Sequence, residues 1–438
     1  MTFKPYPKYK ASGVEWLGDV PEGWSVAPLK RTVAMTNEKI QAKDTAAGYV
    51  GMENIESWSG KFVESASDFE AEGLSNGFDV GDVLFGKLRP YLAKAWLSDR
   101  TGVCSSELLV LRPKNVVAQY LLHQVLNRDF VALVDSSTYG SKMPRASWDY
   151  IGGIELPVPP ICDQVSITIF LDRETAKIDT LIAKQEAMIG LLKEKRQAVI
   201  SHAVTKGLDP SVPMKASGVE WLGDVPEHWN TTRLKFVASF ITSGPRGWSE
   251  YLTDEGPIFL QSGDLNDELG IDFRLTKRVT PPANAEGRRT TLNELDIVVC
   301  ITGANTGRVA VVVGIPCAAF INQHLALVRP MHKTVSPKFL AYLLASDIGR
   351  TYFEVSQYGL KEGLSLSAVS EAPIPSLPLD EQNSIVAFID MTTAKIDTLI
   401  AKAQQAIVLQ KEHRTALISA AVTGKIDVLA QATERKAA

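Results

Sequence analysis

At 438 residues, with 45 % apolar and 22 % charged side chains, the chain can fill two or three globular cores and is neither a disordered nor a fibrous sequence. Its net charge of −4 argues against a freestanding basic nucleic-acid binder, because neutralising phosphates leaves a basic footprint. The longest apolar runs, near 297–301 and 309–315, are far shorter than a membrane helix, and residues 1–10 are too polar and proline-rich for a signal peptide; a cytoplasmic protein is expected.

The first element in chain order is the string KASGVEWLGDVPE at residues 10–22, which recurs unchanged at 215–227. A second string, TAKIDTLIAK, stands at 175–184 and again at 393–402. The chain is therefore a tandem duplication, with an offset of 205 for one string and 218 for the other. Between these strings the copies diverge, and only scattered matches survive: Asp82 with Asp296, Arg112-Pro113 with Arg329-Pro330, Tyr139-Gly140 with Tyr358-Gly359. A repeated frame with divergent inserts suits one kind of partner held twice and two different targets read.

The first insert, 25–156, reads as mixed α and β structure. A β-rich run, 82–86, leads into Lys87-Leu88-Arg89-Pro90-Tyr91, and a second polar loop follows at Tyr139-Gly140-Ser141-Lys142-Met143-Pro144-Arg145. Arginine can grip a guanine edge bidentately, and an aromatic beside a cation suits nucleic-acid contact. Lys87, Arg89, Tyr91, Lys142 and Arg145 are the candidates here for DNA contact. Surface turns that merely expose a cation are the alternative.

From 163 to about 204 proline is absent and Gly190 is the single glycine, while the apolar residues fall on one seam. Leu171, Ile178, Ile182, Ile189, Leu192, Val199 and Ala203 define it, spaced by sevens, fours and a three. Upstream prolines 157, 159 and 160 mark where this helix begins, and Asp163 sits favourably near its positive end. The helix would run roughly 60 Å. Its duplicate keeps the register at Ile389, Ile396, Ile400, Ile407, Leu417 and Ala421, after prolines 373, 375 and 378 and beside Asp380 and Glu381. The two helices can bury both seams against each other as an antiparallel coiled coil related by an internal pseudo-two-fold. Arg196, Arg414, Gln185 and Gln410 interrupt the seams, either fixing register or snorkelling at a wet edge. Leu181, Leu399 and Met188 extend the apolar surface beyond the seam, where a further packing partner can sit.

The second insert, 230–374, carries the loop Gly303-Ala304-Asn305-Thr306-Gly307-Arg308 between two β-rich runs, the loop Ser243-Gly244-Pro245-Arg246-Gly247-Trp248, and Lys361 aligned with Lys142. Arg246, Trp248, Asn305, Arg308 and Lys361 are its DNA-contact candidates; Trp248 can equally fill its own domain's core. Glu107 and His324 hold matched positions, each fit to touch a base or to satisfy a local bond.

Signatures of catalysis are missing. The Gly303 loop lacks the Lys-Ser/Thr ending of a phosphate-cradling loop, no glycine-rich strand-to-helix fingerprint suggests a dinucleotide or methyl-donor cofactor, and no amino-methyltransferase tetrad occurs. The six histidines have no metal-ligand spacing, and the four cysteines lack a C-x-x-C pair and are expected as buried thiols; no metal is expected. The chain reads as non-enzymatic.

SGVEWLGDVPEGW at 12–24, its repeat ending in His228-Trp229, the connector AVTKGLDPSVPMKASGVEWLG at 203–223, AVTGKIDV at 421–428 and the Q-x-x-I-x-x-F-x-D-like entries at 164–172 and 382–390 together closely resemble the specificity subunit of type I restriction-modification systems. The resemblance covers nearly the whole chain in order. It implies an α+β protein with two mixed α/β target recognition domains, each binding one half of a split double-stranded DNA sequence, separated by the paired helices. The expected boundaries are 1–156 for the first recognition domain, 157–208 for the central helix, 209–374 for the second domain and 375–438 for the C-terminal helix. Two copies of a methyltransferase subunit, and restriction subunits, are the implied partners, and these bring the methyl donor, ATP and magnesium; no cofactor is expected on this chain. Helix length would act as a ruler for the unread gap. The near-neutral inserts also fit a two-headed scaffold that grips proteins, which would lack the steep salt dependence of DNA binding.

Overall fold

The computed structural model describes residues 4–41, 48–64, 74–140, 142–274, 276–282, 289–357 and 363–429. The prolines before each apolar stripe stop the preceding strand, and the stripe then runs on as one helix. The first long helix is Ile161–Lys206 and the second is Leu379–Val422, 46 and 44 residues. Asp163 lies in the first turn of one, Asp380 and Glu381 in the first turn of the other, where acids face the positive helix end. Neither helix is long and apolar enough to cross a membrane.

Burial along both helices follows the seam. Leu171, Thr175, Ile178, Ile182, Gln185, Ile189, Leu192, Arg196, Val199 and Ala203 are each buried or half-buried, in alternating steps of four and three. In the second helix the same holds for Ile389, Thr393, Ile396, Ile400, Ala403, Ile407, Gln410, Arg414, Leu417 and Ala421. The two threonines belong to the seam, although apolar spacing alone passes over them. Each turns its hydroxyl back on its own helix, Thr393 onto the Ile389 carbonyl at 2.9 Å and Thr175 onto Asp172 at 3.4 Å.

The seam arginines are ion-paired. Arg196 Nε lies 3.1 Å from Asp397 Oδ1, and Arg414 Nε lies 3.3 Å from Asp179 Oδ1. Both positions of the first pair, moved by the repeat offset of 218, exchange helices to become the second pair. Arg414 is also hydrogen-bonded to the Trp58 carbonyl and, at 2.7 Å, to the Ser59 carbonyl.

The chain forms two compact units, one of residues up to Glu186 with those from Gln404 on, the other Ala187–Ala403. Each unit takes part of both long helices, so its limits fall inside the helices rather than at their ends. In the first unit an antiparallel sheet runs in the order Val33–Thr36, Leu108–Pro113, Val83–Gly86, Ala95–Leu97. A second sheet orders Lys39–Gln41, Leu74–Phe78, Gly102–Cys104 and Tyr49–Val50, its last pair parallel. The other unit repeats the plan. Ala238–Ser243, Leu325–Pro330, Ile297–Cys300 and Val309–Val311 make its antiparallel sheet, and Lys277–Val279, Leu252–Leu260 and Ala319–Ile321 its second, again ending in a parallel pair.

The repeated string closes the core in each unit. Trp24, which ends its first occurrence, is 1 % exposed among Leu29, Tyr120, Leu171, Ile178 and Leu417. Trp229 is fully buried among Leu234, Phe339, Ile200, Ile385 and Ile389, with its Nε1 donating to Glu381 at 3.0 Å. A buried glutamine ties each helix start to its unit. Gln164 accepts from the Val117 N–H and donates to the Pro159 carbonyl, both at 2.8 Å; Gln382 accepts from Ser336 at 2.8 Å and donates to Leu377 at 3.0 Å. Two of the four thiols correct the sequence expectation: Cys104 and Cys300 are buried, whereas Cys162, in the exposed first turn of a helix, and Cys317, on a loop, are exposed.

Candidate nucleic-acid interface

The strand Val83–Gly86 ends where its neighbour Leu108–Pro113 begins, and the chain must turn out of the sheet there. Lys87 N–H donates to the Glu107 carbonyl at 3.0 Å and Arg89 N–H to the Pro144 carbonyl at 2.8 Å, while Ala146 N–H returns to Lys87 at 3.0 Å. Tyr139 and Arg145 exchange N–H···O bonds at 3.1 Å, closing the second loop on itself. The two loops read separately from the sequence are thus one ridge. Arg89 holds a left-handed backbone, φ 48°, uncommon for a side-chain-bearing residue, with its N–H bonded to the Pro144 carbonyl.

The ridge presents both cations and apolar tips. Arg89, Lys142, Tyr91, Tyr139 and Met143 are exposed, and Lys87 is half-buried. Arg145 is not free: its Nε and Nη2 fork onto Glu107 at 3.0 and 2.9 Å, and that hydrogen bond raises its pKa further. Glu107 is committed to this pair, the local-bond alternative of its sequence reading. Two nearby cations of the same insert, Lys94 and Arg100, are also engaged. Lys94 donates to the Met52 carbonyl, burial lowering its pKa, and Arg100 pairs with Asp99 while lying 4.7 Å over the Phe62 ring.

In the other unit the strands Ile297–Cys300 and Val309–Val311 flank the Gly303–Arg308 loop as its composition suggests. Its polar side chains turn inward. Asn305 Nδ2 donates to the Ser262 carbonyl at 3.2 Å; Arg308 donates to the Leu265 carbonyl at 3.0 Å and pairs with Asp267 at 3.1 Å. Trp248 is 2 % exposed, its ring 6.1 Å from Phe259 and 5.6 Å from Phe320, so most of it fills its own core. Asn305 and Arg308, both half-buried, are thus bonded within the module, and Trp248 packs into its core. Arg246, in the same loop as Trp248, is exposed; Lys361 lies outside the described residues.

Among the described residues Lys87, Arg89, Lys142 and Arg246 hold no ion pair. Arg274 pairs with Asp272, and Arg278 donates to the Gly256 carbonyl at 3.0 Å. Sequence reasoning passed over Gln261, Gln323 and the imidazole network of His324. His324 Nδ1 lies 2.5 Å from the Thr302 hydroxyl and Nε2 lies 3.2 Å from the Gln323 amide nitrogen. The amide donates to Nε2, which leaves the proton on Nδ1 for the hydroxyl. The only sequence signal for this network was the match of His324 with Glu107.

A family model for the type I restriction modification DNA specificity domain matches residues 226–408. The chain is 23 % identical over 304 residues to the type I restriction enzyme EcoBI specificity subunit of Escherichia coli, covering 68 % of this chain and 64 % of that protein. To the StySPI specificity subunit of Salmonella potsdam it is 22 % identical over 442 residues, 93 % of this chain and 90 % of that one. It thus spans just under two thirds of the first relative and nearly all of the second. A chain solved in a study of complex assembly and conformational transition of the type I R-M system matches with a TM-score of 0.67 at 20 % identity, over 93 % of this chain and 99 % of that one, a likeness of fold.

Proposed function

We propose that the chain is a specificity subunit of a type I restriction-modification system, the non-catalytic component of such a complex, and that it reads a bipartite double-stranded DNA target in the cytoplasm. The recognition domains, 1–156 and 209–374, each take one half of the target. The helical segments, 157–208 and 375–438, pair as an antiparallel coiled coil with internal pseudo-two-fold symmetry and set the unread gap. Two methyltransferase subunits dock on them, restriction subunits join the complex, and the partners carry the methyl donor, ATP and magnesium.

One observation carries the spacer reading: Arg196 with Asp397 and Arg414 with Asp179 are one ion pair made twice with the helices exchanged. Helices that serve each other reciprocally, along matched stripes, favour mutual pairing over burial in unrelated places. Leu181 and Leu399, matched by the offset, are 46 and 49 % exposed on the flank beside the seam, as are Leu191 and Leu409. Such paired apolar surface supports docking of the same partner twice. Partners that enclose the DNA also account for binding by a chain of net charge −4.

Methylation-sensitive sequencing of DNA from cells that express the chain with its methyltransferase tests the proposal. A motif in two parts separated by a fixed unread gap is expected. A single uninterrupted motif, or methylation without sequence preference, overturns it.

A further inference from the structure

The duplication is unequal at one edge of the second module. Thr36 and Thr242 hold matched positions on the antiparallel sheets, opposite Val110 and Leu327, and Gly51 and Gln261 hold matched positions before a short 3-10 turn. In each turn the third residue's side chain accepts from that position's N–H, Asn54 at 2.9 Å and Asp264 at 2.7 Å. Between these markers the second copy is four residues longer. The added length is the loop carrying Arg246, Gly247 and Trp248.

That loop walls a cleft of about 240 Å³. Trp248 and Phe259 form its apolar base, and Gln261, Ser262, Gln323 and His324 line its other sides. The loop is fixed in place at Gly244, where a Cβ would fall 2.2 Å from the Asn322 carbonyl carbon. His324 holds one end of the Gln323 amide, as described above, which orients the carboxamide. Among the described residues no carboxylate lines the cleft, and exposed Arg246 stands on the same loop. At the matched place in the first copy there is no side chain. Gly51 is there, and the Glu53 carboxylate lies 2.1 Å from where its Cβ would be. The two modules therefore differ in chemistry at a corresponding position, an amide against an acid.

An aromatic base with a carboxamide rim matches one base pair better than the others. Adenine offers N7 as acceptor and N6 as donor, which one carboxamide satisfies, and the paired thymine offers a methyl group for apolar contact. Guanine calls for arginine or lysine and cytosine for an acid, and the lining holds neither. Resting on the proposed DNA-reading function, we infer that this cleft reads an A·T pair in the half-site of the second recognition domain, with Gln261 and Gln323 as specificity-determining residues.

The test uses the full chain with its methyltransferase partner and reads the methylated motif. Gln261→Ala and Gln323→Ala should each lower discrimination at one A·T position of one half-site by about tenfold, with the other half-site unchanged. The isosteric Q323E keeps the side chain's shape and replaces a donor by an acceptor; it should move preference at that position from adenine toward cytosine. A duplex with 7-deaza-adenine there should compete about tenfold less well for the wild-type chain and no less well for Q323A. A wild-type chain that yields no bipartite motif overturns the DNA reading and the cleft's role with it. A bipartite motif that neither alanine variant nor Q323E alters overturns the cleft alone.

Discussion

Arg112 forks onto Asp82, Nε to Oδ1 at 2.9 Å and Nη2 to Oδ2 at 2.8 Å, and Arg329 grips Asp296 with the same two atoms at the same two distances. The aspartates are 2 and 1 % exposed, and each also accepts the N–H three residues before it, Asp79 at 2.9 Å and Asn293 at 2.7 Å. Here the divergent inserts have kept their architecture while their loops changed. Asp82→Ala or Asp296→Ala would leave a backbone N–H without that acceptor and strip the fork from a guanidinium that keeps one other partner, the Asp79 carboxylate for Arg112 and the Thr291 carbonyl for Arg329. Because the arginine side chains are 40 and 31 % exposed, the expected loss is about 2 kcal/mol, below that of a fully buried pair. Hydrogen exchange resolved by unit should show D82A loosening residues 25–156 and D296A residues 230–374. Arg112→Lys should recover little, since an ammonium cannot reproduce the fork. Full stability in both alanine variants would show that the sheets do not depend on these pairs.

The seam arginines make a sharper comparison because symmetry in sequence hides a difference in surroundings. Arg414 is 8 % exposed and bonds two backbone carbonyls as well as lying against Asp179, which Lys61 also contacts at 2.7 Å. Arg196 is half-buried and has Asp397 alone among the pairs observed for its guanidinium. Arg414→Ala should therefore cost about 3 kcal/mol and Arg196→Ala about 1 kcal/mol. Urea unfolding of the two single variants measures this directly. Equal losses would mean that the carbonyl bonds of Arg414 contribute nothing beyond the ion pair.

The helices were legible in the sequence because a spacing of threes and fours sustained from Leu171 to Ala203 admits only a helix with one buried stripe. The frame was legible because Trp24 and Trp229 recur in fixed strings, and both prove to be core. What was not legible is which cations are free. Arg145 finds Glu107 across 38 positions, and Arg308 finds the Leu265 carbonyl across 43, pairings that exist only once the sheets have formed. Trp248 was ambiguous for the same reason, since its partners Phe259 and Phe320 come from different strands. Residue type marks what a side chain can do, and distant chain segments decide whether it is left free to do it.

Thiol chemistry reports on the same cores. Burial pushes the Cys104 pKa up to about 12, and burial likewise raises that of Cys300, so both stay protonated at ordinary pH. Cys162 and Cys317 are exposed. A thiol reagent at pH 8 should therefore modify two cysteines in the native chain and four after denaturation, and raising the pH to 9 should not recruit the other two. Peptide mapping that finds Cys104 or Cys300 labelled in the native chain would contradict the packing of the sheets around them.

On the proposed DNA reading, the ridge of the first module separates cations by their partners rather than by their charge. Arg89 and Lys142 are exposed and hold no ion pair among the described residues, whereas Arg145 is held by Glu107. Arg89→Ala and Lys142→Ala should each weaken binding and, where the residue meets a phosphate, flatten the dependence of log affinity on log salt by about one unit. Arg145→Ala should act differently: it releases Glu107 beside the DNA path and loosens the contact between the two loops, so affinity falls with little change in slope. Glu107→Gln separates the two effects. It keeps an acceptor for Arg145 and removes the negative charge, and it should bind DNA at least as well as wild type. Titrations of a duplex carrying the mapped target at several salt concentrations give all four slopes; a slope for Arg145→Ala that flattens as much as that for Arg89→Ala would place Arg145 on the DNA backbone instead of in the scaffold.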